Sequence, residues 1–119
     1  MTDGNNPIKE KSFGFAIRIV KLARLLEQEK REYVLSKQLL RSGTAVGALV
    51  REAEQAESRA DFIHKLAIAL KEANETDYWL ELLHETALLD SKGFESIKPD
   101  IVELIKLLTA IIKTSKRKG

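Results

Sequence analysis

The stretch QLLRSGTAVGALVREAEQAE, residues 38–57, decides the fold of this chain. It is compatible with an α-helix, but small residues occupy many positions where a helix normally carries large ones. Gly43 and Gly47 are four residues apart, so they share one helix face, and several alanines extend that small surface. A glycine inside a helix destabilises it by about 1 kcal/mol relative to alanine. We therefore predict that Gly43 and Gly47 pack closely against another helix, which offsets this loss.

The same stretch carries a charged residue at each end of a stripe of alanines. Arg41 and Glu52 are eleven residues apart, and Ala45 and Ala48 lie between them on the same side of a helix. This pattern indicates a helix contact and does not describe an active site. Further along the chain, two glutamates one turn apart offer partners for the arginine. We predict a buried structural network that consists of Arg41, Glu52, Glu72 and Glu75.

Length and composition limit the class of protein. A chain of 119 residues with 44% hydrophobic and 32% charged residues is typical of one soluble globular domain. The absence of cysteine excludes disulfides, thiolate metal sites and cysteine nucleophiles. The N-terminus has no apolar signal region, and no apolar run reaches the roughly 18 residues that span a bilayer. We predict a cytoplasmic protein without a membrane partner.

The hydrophobic pattern predicts an all-α fold. Apolar residues recur every three or four positions in four segments, with Ser12 and Ser58 as predicted N-caps and Pro99 in the first turn of the last helix. Short connections make an up-down antiparallel four-helix bundle the expected architecture. The predicted organisation is a flexible N-terminal arm over residues 1–11, the bundle over residues 12–112 and a basic C-terminal tail over residues 113–119.

The residue types that carry catalysis or bind metals do not occur at the required spacing. His64 and His84 are 20 residues apart on one predicted helix, which places them about 200° apart around its axis. Metal sites in bundles use two Glu-x-x-His pairs, and only Glu81 with His84 has that spacing. The two glycines of the quoted stretch lack the lysine of a phosphate-binding loop. We predict a non-enzymatic protein with no catalytic residue, metal or cofactor.

The net charge of +2 conceals an uneven distribution. Residues 1–41 carry a net charge of +4, residues 42–95 carry −6 and residues 96–119 carry +4. The basic segments either form a surface for an anionic polymer or pair with the acidic segment. If they form a surface, the candidate nucleic-acid contacts are Arg18, Lys21, Arg24, Lys113, Lys116, Arg117 and Lys118.

The segment from Leu35 to Leu83, LSKQLLRSGTAVGALVREAEQAESRADFIHKLAIALKEANETDYWLELL, resembles the four-helix-bundle family encoded in intervening sequences of bacterial 23S ribosomal RNA genes. The pattern FxFAxxIVxL that begins at Phe13 agrees with this resemblance, which covers roughly residues 11–112. The resemblance implies a bundle that assembles into a ring, commonly a homopentamer. A related branch comprises accessory proteins of diversity-generating retroelements, which bind reverse transcriptase and nucleic acid. Close members often have Asn where this chain has Leu49.

Our hypothesis from the sequence is a non-enzymatic ring oligomer that binds RNA or DNA weakly through basic surfaces. Surplus apolar residues on the third helix, among them Ile68, Tyr78, Trp79 and Leu82, favour self-association. Two alternatives stay open at this point. One is a structural or protein-interaction scaffold that does not bind nucleic acid, and the other is a retroelement accessory protein.

Overall fold

The computed structural model describes residues 6–118, and within that range it contains four α-helices and no strand. The helices are α1, Pro7–Lys30; α2, Val34–Glu54; α3, Arg59–Glu85; and α4, Ser91–Lys118. Each helix packs on the next one in the chain, and α1 also packs on α4. The predicted up-down four-helix bundle is therefore confirmed.

The core is a single column of aliphatic side chains along the bundle axis. Each helix contributes one residue per turn to it, so that the buried positions repeat at intervals of three and four. Burying one leucine or isoleucine contributes roughly 1.5–3 kcal/mol to stability. The largest completely buried aliphatic side chains are Ile19, Leu26, Leu39, Leu66, Leu80, Leu83, Ile101, Leu104 and Leu108.

The first helix begins five residues earlier than the sequence analysis predicts. The side chain of Asn6 accepts a hydrogen bond from the backbone N–H of Lys9 at 3.3 Å, and Pro7 occupies the first helical position. Proline suits that position because its missing N–H would have no helical partner there. Ser12 is instead a buried helical residue. Residues 7–11 thus belong to α1, while residues 1–5 of the predicted arm lie outside the described residues.

The last helix also starts earlier than predicted, at Ser91. The carboxylate of Asp90 accepts a hydrogen bond from the backbone N–H of Gly93 at 2.7 Å and so satisfies the start of the helix. Pro99 consequently lies inside α4. It deprives the carbonyl of Glu95 of its helical donor, but both residues are exposed to water. At its other end α4 continues to Lys118, so residues 113–118 of the predicted tail are helical.

The connection between α2 and α3 follows the sequence prediction closely. Ser58 adopts an extended conformation, and its side chain accepts a hydrogen bond from the backbone N–H of Asp61 at 3.0 Å. The turn after α3 is less regular, because Ala87 adopts a left-handed conformation with φ of 65°. Its neighbour Leu88 donates a backbone hydrogen bond to Leu83 at 3.0 Å, which closes the end of the helix.

Gly43 lies where α1 packs closely on α2. A Cβ atom at this position would lie 2.8 Å from both Cγ1 and Cγ2 of Ile19, which is completely buried. At Gly47, one turn further, a Cβ atom would lie 3.3 Å from the backbone oxygen of Ser12. The two glycines thus allow side-chain and backbone atoms of α1 to lie directly against the backbone of α2.

We expect Gly43→Ala and Gly14→Ala to have opposite effects on stability. Alanine favours a helix over glycine by about 1 kcal/mol. At Gly14 the new methyl group has no atom within 4 Å apart from its chain neighbours and the local backbone of α1. Gly14→Ala should therefore stabilise the protein by about 0.5–1 kcal/mol. At Gly43 the methyl group meets Ile19, and overpacking of about 1–3 kcal/mol should exceed the helix term.

Urea unfolding of the two variants beside the parent protein measures both effects. Equal stabilisation by the two substitutions would contradict the close packing at Gly43.

Candidate functional site

Two buried hydroxyl groups join α2 to α3 at the centre of the bundle. The side-chain oxygens of Ser42 and Thr76 are 2.9 Å apart, and the Thr76 oxygen is 2.8 Å from the backbone oxygen of Glu72. Both residues are completely shielded from solvent. A buried hydroxyl without a partner would be strongly unfavourable, so each side chain satisfies the other. This contact is not evident from the sequence, although both residues occupy positions of the apolar stripes.

Arg41 forms the adjoining surface contact between the same two helices. Its guanidinium pairs with Glu72, where Nη1 and Oε1 are 3.2 Å apart, and with Glu75. The indole N–H of Trp79 donates to the same Glu75 carboxylate at 2.9 Å. The carboxylate of Glu75 therefore accepts hydrogen bonds from both helices.

The predicted network needs two corrections. Glu52 does not contact Arg41, because eleven residues along one helix separate them by about 16 Å. Glu52 pairs with Lys65 of α3 instead, with 3.2 Å between the atoms. The network is also not buried, since 51% of the Arg41 side chain is exposed. It is a surface link between two helices, for which solvent screening weakens the attraction.

A double-mutant cycle distinguishes the observed pairing from the predicted one. Arg41→Ala and Glu75→Ala should show a coupling free energy of about 0.5–1 kcal/mol, because their side chains are in direct contact. The cycle of Arg41→Ala with Glu52→Ala serves as the control and should be additive within about 0.3 kcal/mol. Urea unfolding supplies the four free energies of each cycle. Additivity of Arg41 with Glu75 would show that the surface link does not contribute to stability.

One of the seven cations predicted to contact nucleic acid is already engaged within the bundle. The Arg18 guanidinium donates to the Asp100 carboxylate at 2.7 Å and to the hydroxyl and carbonyl of Ser96 at 2.7 and 3.1 Å. These bonds hold α1 against α4. Arg18 therefore has a structural partner that a phosphate would have to displace.

The other six predicted cations are exposed and form two separate groups. None of them forms an ion pair with another of the described residues 6–118. Lys21 and Arg24 lie near the middle of α1, whereas the other group, Lys113, Lys116, Arg117 and Lys118, occupies the last turns of α4. Because α1 and α4 are antiparallel and Arg18 lies level with Ser96 and Asp100, the two groups are more than about 25 Å apart along the bundle.

The end of the bundle adds a cation that the sequence analysis missed. Arg59, in the first turn of α3, lines an open cavity of about 700 Å³ together with Lys118. Phe62 and Ile111 contribute apolar side chains to the same cavity. Arg59 lies 59 residues before Lys118 in the sequence, so no charge run connects the two. We call Arg59, Lys113, Lys116, Arg117 and Lys118 the basic end of the bundle.

A further lysine forms ion pairs between α3 and α4. Lys98 pairs with Asp77 and with Glu81. Burial lowers the pKa of Lys98, but the hydrogen bonds and the attraction of the two carboxylates outweigh this and raise the pKa above its usual value. Lys98 is therefore a charged link within the bundle and does not add to its basic end.

The two histidines lie far apart on α3. His64 is exposed, while the ring of His84 stacks on Phe94 with 4.3 Å between centroids. Twenty residues of helix separate them by about 30 Å. Among residues 6–118, no group of three or more potential metal ligands comes together. None of the helices in this range is long and apolar enough to span a bilayer.

Comparison with known proteins identifies the family of the chain and a closely similar solved structure. The family described as 23S rRNA-intervening sequence protein matches residues 5–110. A crystal structure of a protein of unknown function from Bacteroides thetaiotaomicron, of the S23 ribosomal protein family, is 60% identical to this chain. The similarity covers 89% of this chain and 98% of the other, with a TM-score of 0.88. No curated protein sequence matches significantly.

Proposed function

This chain belongs to the family of 23S rRNA-intervening sequence proteins, and from that premise we propose a non-enzymatic ring oligomer that binds RNA or DNA through the basic end of its bundle. The observation that carries the proposal is the group of exposed cations without carboxylate partners at one end of the molecule, within the described residues 6–118. Within residues 6–118, this end presents cations but no recognition helix or RNA-binding motif that would read base edges. Binding is therefore weak and tolerant of sequence.

The helical geometry of α4 concentrates the charge on one side. Lys116 and Arg117 follow Lys113 by three and four residues, so both lie beside it on one side of the helix. Lys118 and Arg59 extend the charge across the end of the bundle. In a ring, symmetry repeats this group in every subunit, which increases the local positive potential that attracts phosphates.

Apolar side chains on the outside of the bundle support self-association. Phe13 is 52% exposed, Ile17 is 43% exposed and Tyr78 is 57% exposed. Phe13 and Ile17 are on α1 and Tyr78 is on α3, so two different helices carry exposed apolar groups. A ring of more than two subunits needs two different patches on each subunit.

If the protein forms a ring, its mass in solution should be several times that of one chain. Multi-angle light scattering should give about 67 kDa for five subunits of 13.4 kDa each. This mass should stay constant when the protein is diluted within the micromolar range. A mass of a single chain throughout that range would contradict the ring.

Nucleic-acid binding should depend on the basic end and on salt. We expect the triple variant Lys113→Gln, Lys116→Gln and Arg117→Gln to lose at least about tenfold in affinity for a structured RNA near 50 mM salt. Removal of each side chain that binds a phosphate should also reduce the slope of log K against log salt by nearly one. Fluorescence anisotropy at several salt concentrations measures both quantities.

A matched control removes the same number of exposed cations elsewhere. The variant Lys37→Gln, Lys71→Gln and Lys92→Gln should retain most of the affinity, because these exposed side chains lie in the middle of α3 or at the opposite end of the bundle. Equal losses in both variants would indicate a response to net charge alone. If the intact protein binds neither RNA nor DNA near 50 mM salt, the alternative of a protein-interaction scaffold replaces the proposal.

A further inference from the structure

The outer face of α1 carries an apolar stripe that the bundle does not use. Phe13 and Ile17 are exposed, and Val20 is half-buried without packing against the core. Arg24 continues the same stripe one turn later. The guanidinium of Arg51 from α2 lies 4.9 Å from the centre of the Phe13 ring. An apolar stripe that ends in a cation therefore runs along this side of the molecule.

The outer face of α3 has a matching stripe of opposite charge. Tyr78 is exposed and meets Trp79 edge to face, with 5.0 Å between ring centroids. Leu82 is half-buried without packing against the core, and Glu85 is exposed one turn later. Glu85 forms no ion pair within residues 6–118. This stripe therefore ends in a carboxylate that has no cationic partner among those residues.

We propose that the α1 stripe of one subunit docks on the α3 stripe of a second copy of the chain. The proposal rests on the ring proposed above and assigns its two contacting faces. Ile17 of one copy packs on Tyr78 of the next, and Arg24 pairs with Glu85. The contact is head-to-tail, because each copy presents α1 on one side and α3 on the other.

The spacing of the two stripes fixes their relative direction. Ile17 and Arg24 are seven residues apart, and so are Tyr78 and Glu85, which corresponds to about 10.5 Å along either helix. A parallel arrangement of the two helices brings the apolar groups together and the opposite charges together. An antiparallel arrangement places each charge on an apolar group.

The topology of the bundle makes the parallel arrangement compatible with a ring. Both α1 and α3 pack on α2 and on α4, so α1 and α3 occupy opposite corners and run in the same direction. Rotation about an axis parallel to the bundle keeps every copy in the same orientation. The α1 stripe of one copy then faces the α3 stripe of the next in parallel, and such a heterologous contact closes into a ring.

The size of the bundle is sufficient for a stable contact. It measures 47 Å by 24 Å by 19 Å, so one long side offers on the order of 1,000 Å² of surface. A stable interface needs about 800 Å² from each partner. Phosphates are the alternative ligand for Arg24, but they would leave Phe13, Ile17 and Val20 exposed to water. The apolar groups therefore favour a protein surface at this position.

Cysteine crosslinking tests the assignment directly, because the chain contains no native cysteine. The double variant Ile17→Cys with Tyr78→Cys should form intermolecular disulfides on mild oxidation. Denaturing gels without reductant should show a ladder that ends at the number of subunits in the ring. Each single variant is a matched control and should give no species larger than a dimer, because it carries only one cysteine per subunit.

Charge exchange provides the second measurement on the same contact. Arg24→Glu or Glu85→Arg alone should raise the subunit concentration at half-dissociation by about tenfold or more, and the double exchange should restore it. Lys106→Glu, on another face, should have no effect. An intact ring without a ladder and without rescue would overturn the assigned faces but leave the ring. A parent protein that is monomeric would overturn both.

A separate result would assign Arg24 to nucleic acid. If Arg24→Glu weakened RNA binding while the mass of the ring and its dissociation stayed unchanged, the docking proposal would be overturned.

Discussion

The close approach of α1 and α2 is the constraint on which the rest of the structure depends. With glycine at position 43, the buried Ile19 side chain lies directly against the backbone of α2. This contact sets the distance between the two helices and therefore the depth at which their apolar stripes meet α3 and α4. It also determines which face of α2 remains outside. Arg41 is turned toward α3 and solvent, where it pairs with Glu72 and Glu75.

Local sequence signals were sufficient for the fold class and for the cap at Ser58, where the capping side chain and its partner are three residues apart. These signals were misleading at the N-terminal ends of α1 and α4. Ser12 and Pro99 are suitable for helix starts by residue type, but Asn6 and Asp90 provide caps further upstream. Once a helix has started, a buried serine or an exposed proline inside it is tolerated. Competition between possible caps therefore decided the boundaries.

The candidate site was less predictable, because it depends on contacts between distant segments. The sequence identifies which residues are basic, but not which of them meet a carboxylate from another helix. Asp100 engages Arg18 from 82 positions away, and Arg59 joins the basic end through the fold alone. Glu52 and Arg41 fail to meet for a different reason, because both lie on α2 but eleven residues apart. A shared helix stripe gives the direction of two side chains, whereas their contact also requires a short axial distance.

The order in which the helices pack has a consequence for how the chain folds. The three most extensive helix–helix contacts join consecutive helices, and the sparse α1–α4 seam joins the two ends of the chain. Contacts between consecutive helices require the closure of short loops, for which the entropic cost is small. Helical proteins with such local contacts fold in microseconds to milliseconds. The α1–α4 seam, held by Arg18 and Asp100, is then the last to close and the first to open during native-state fluctuations.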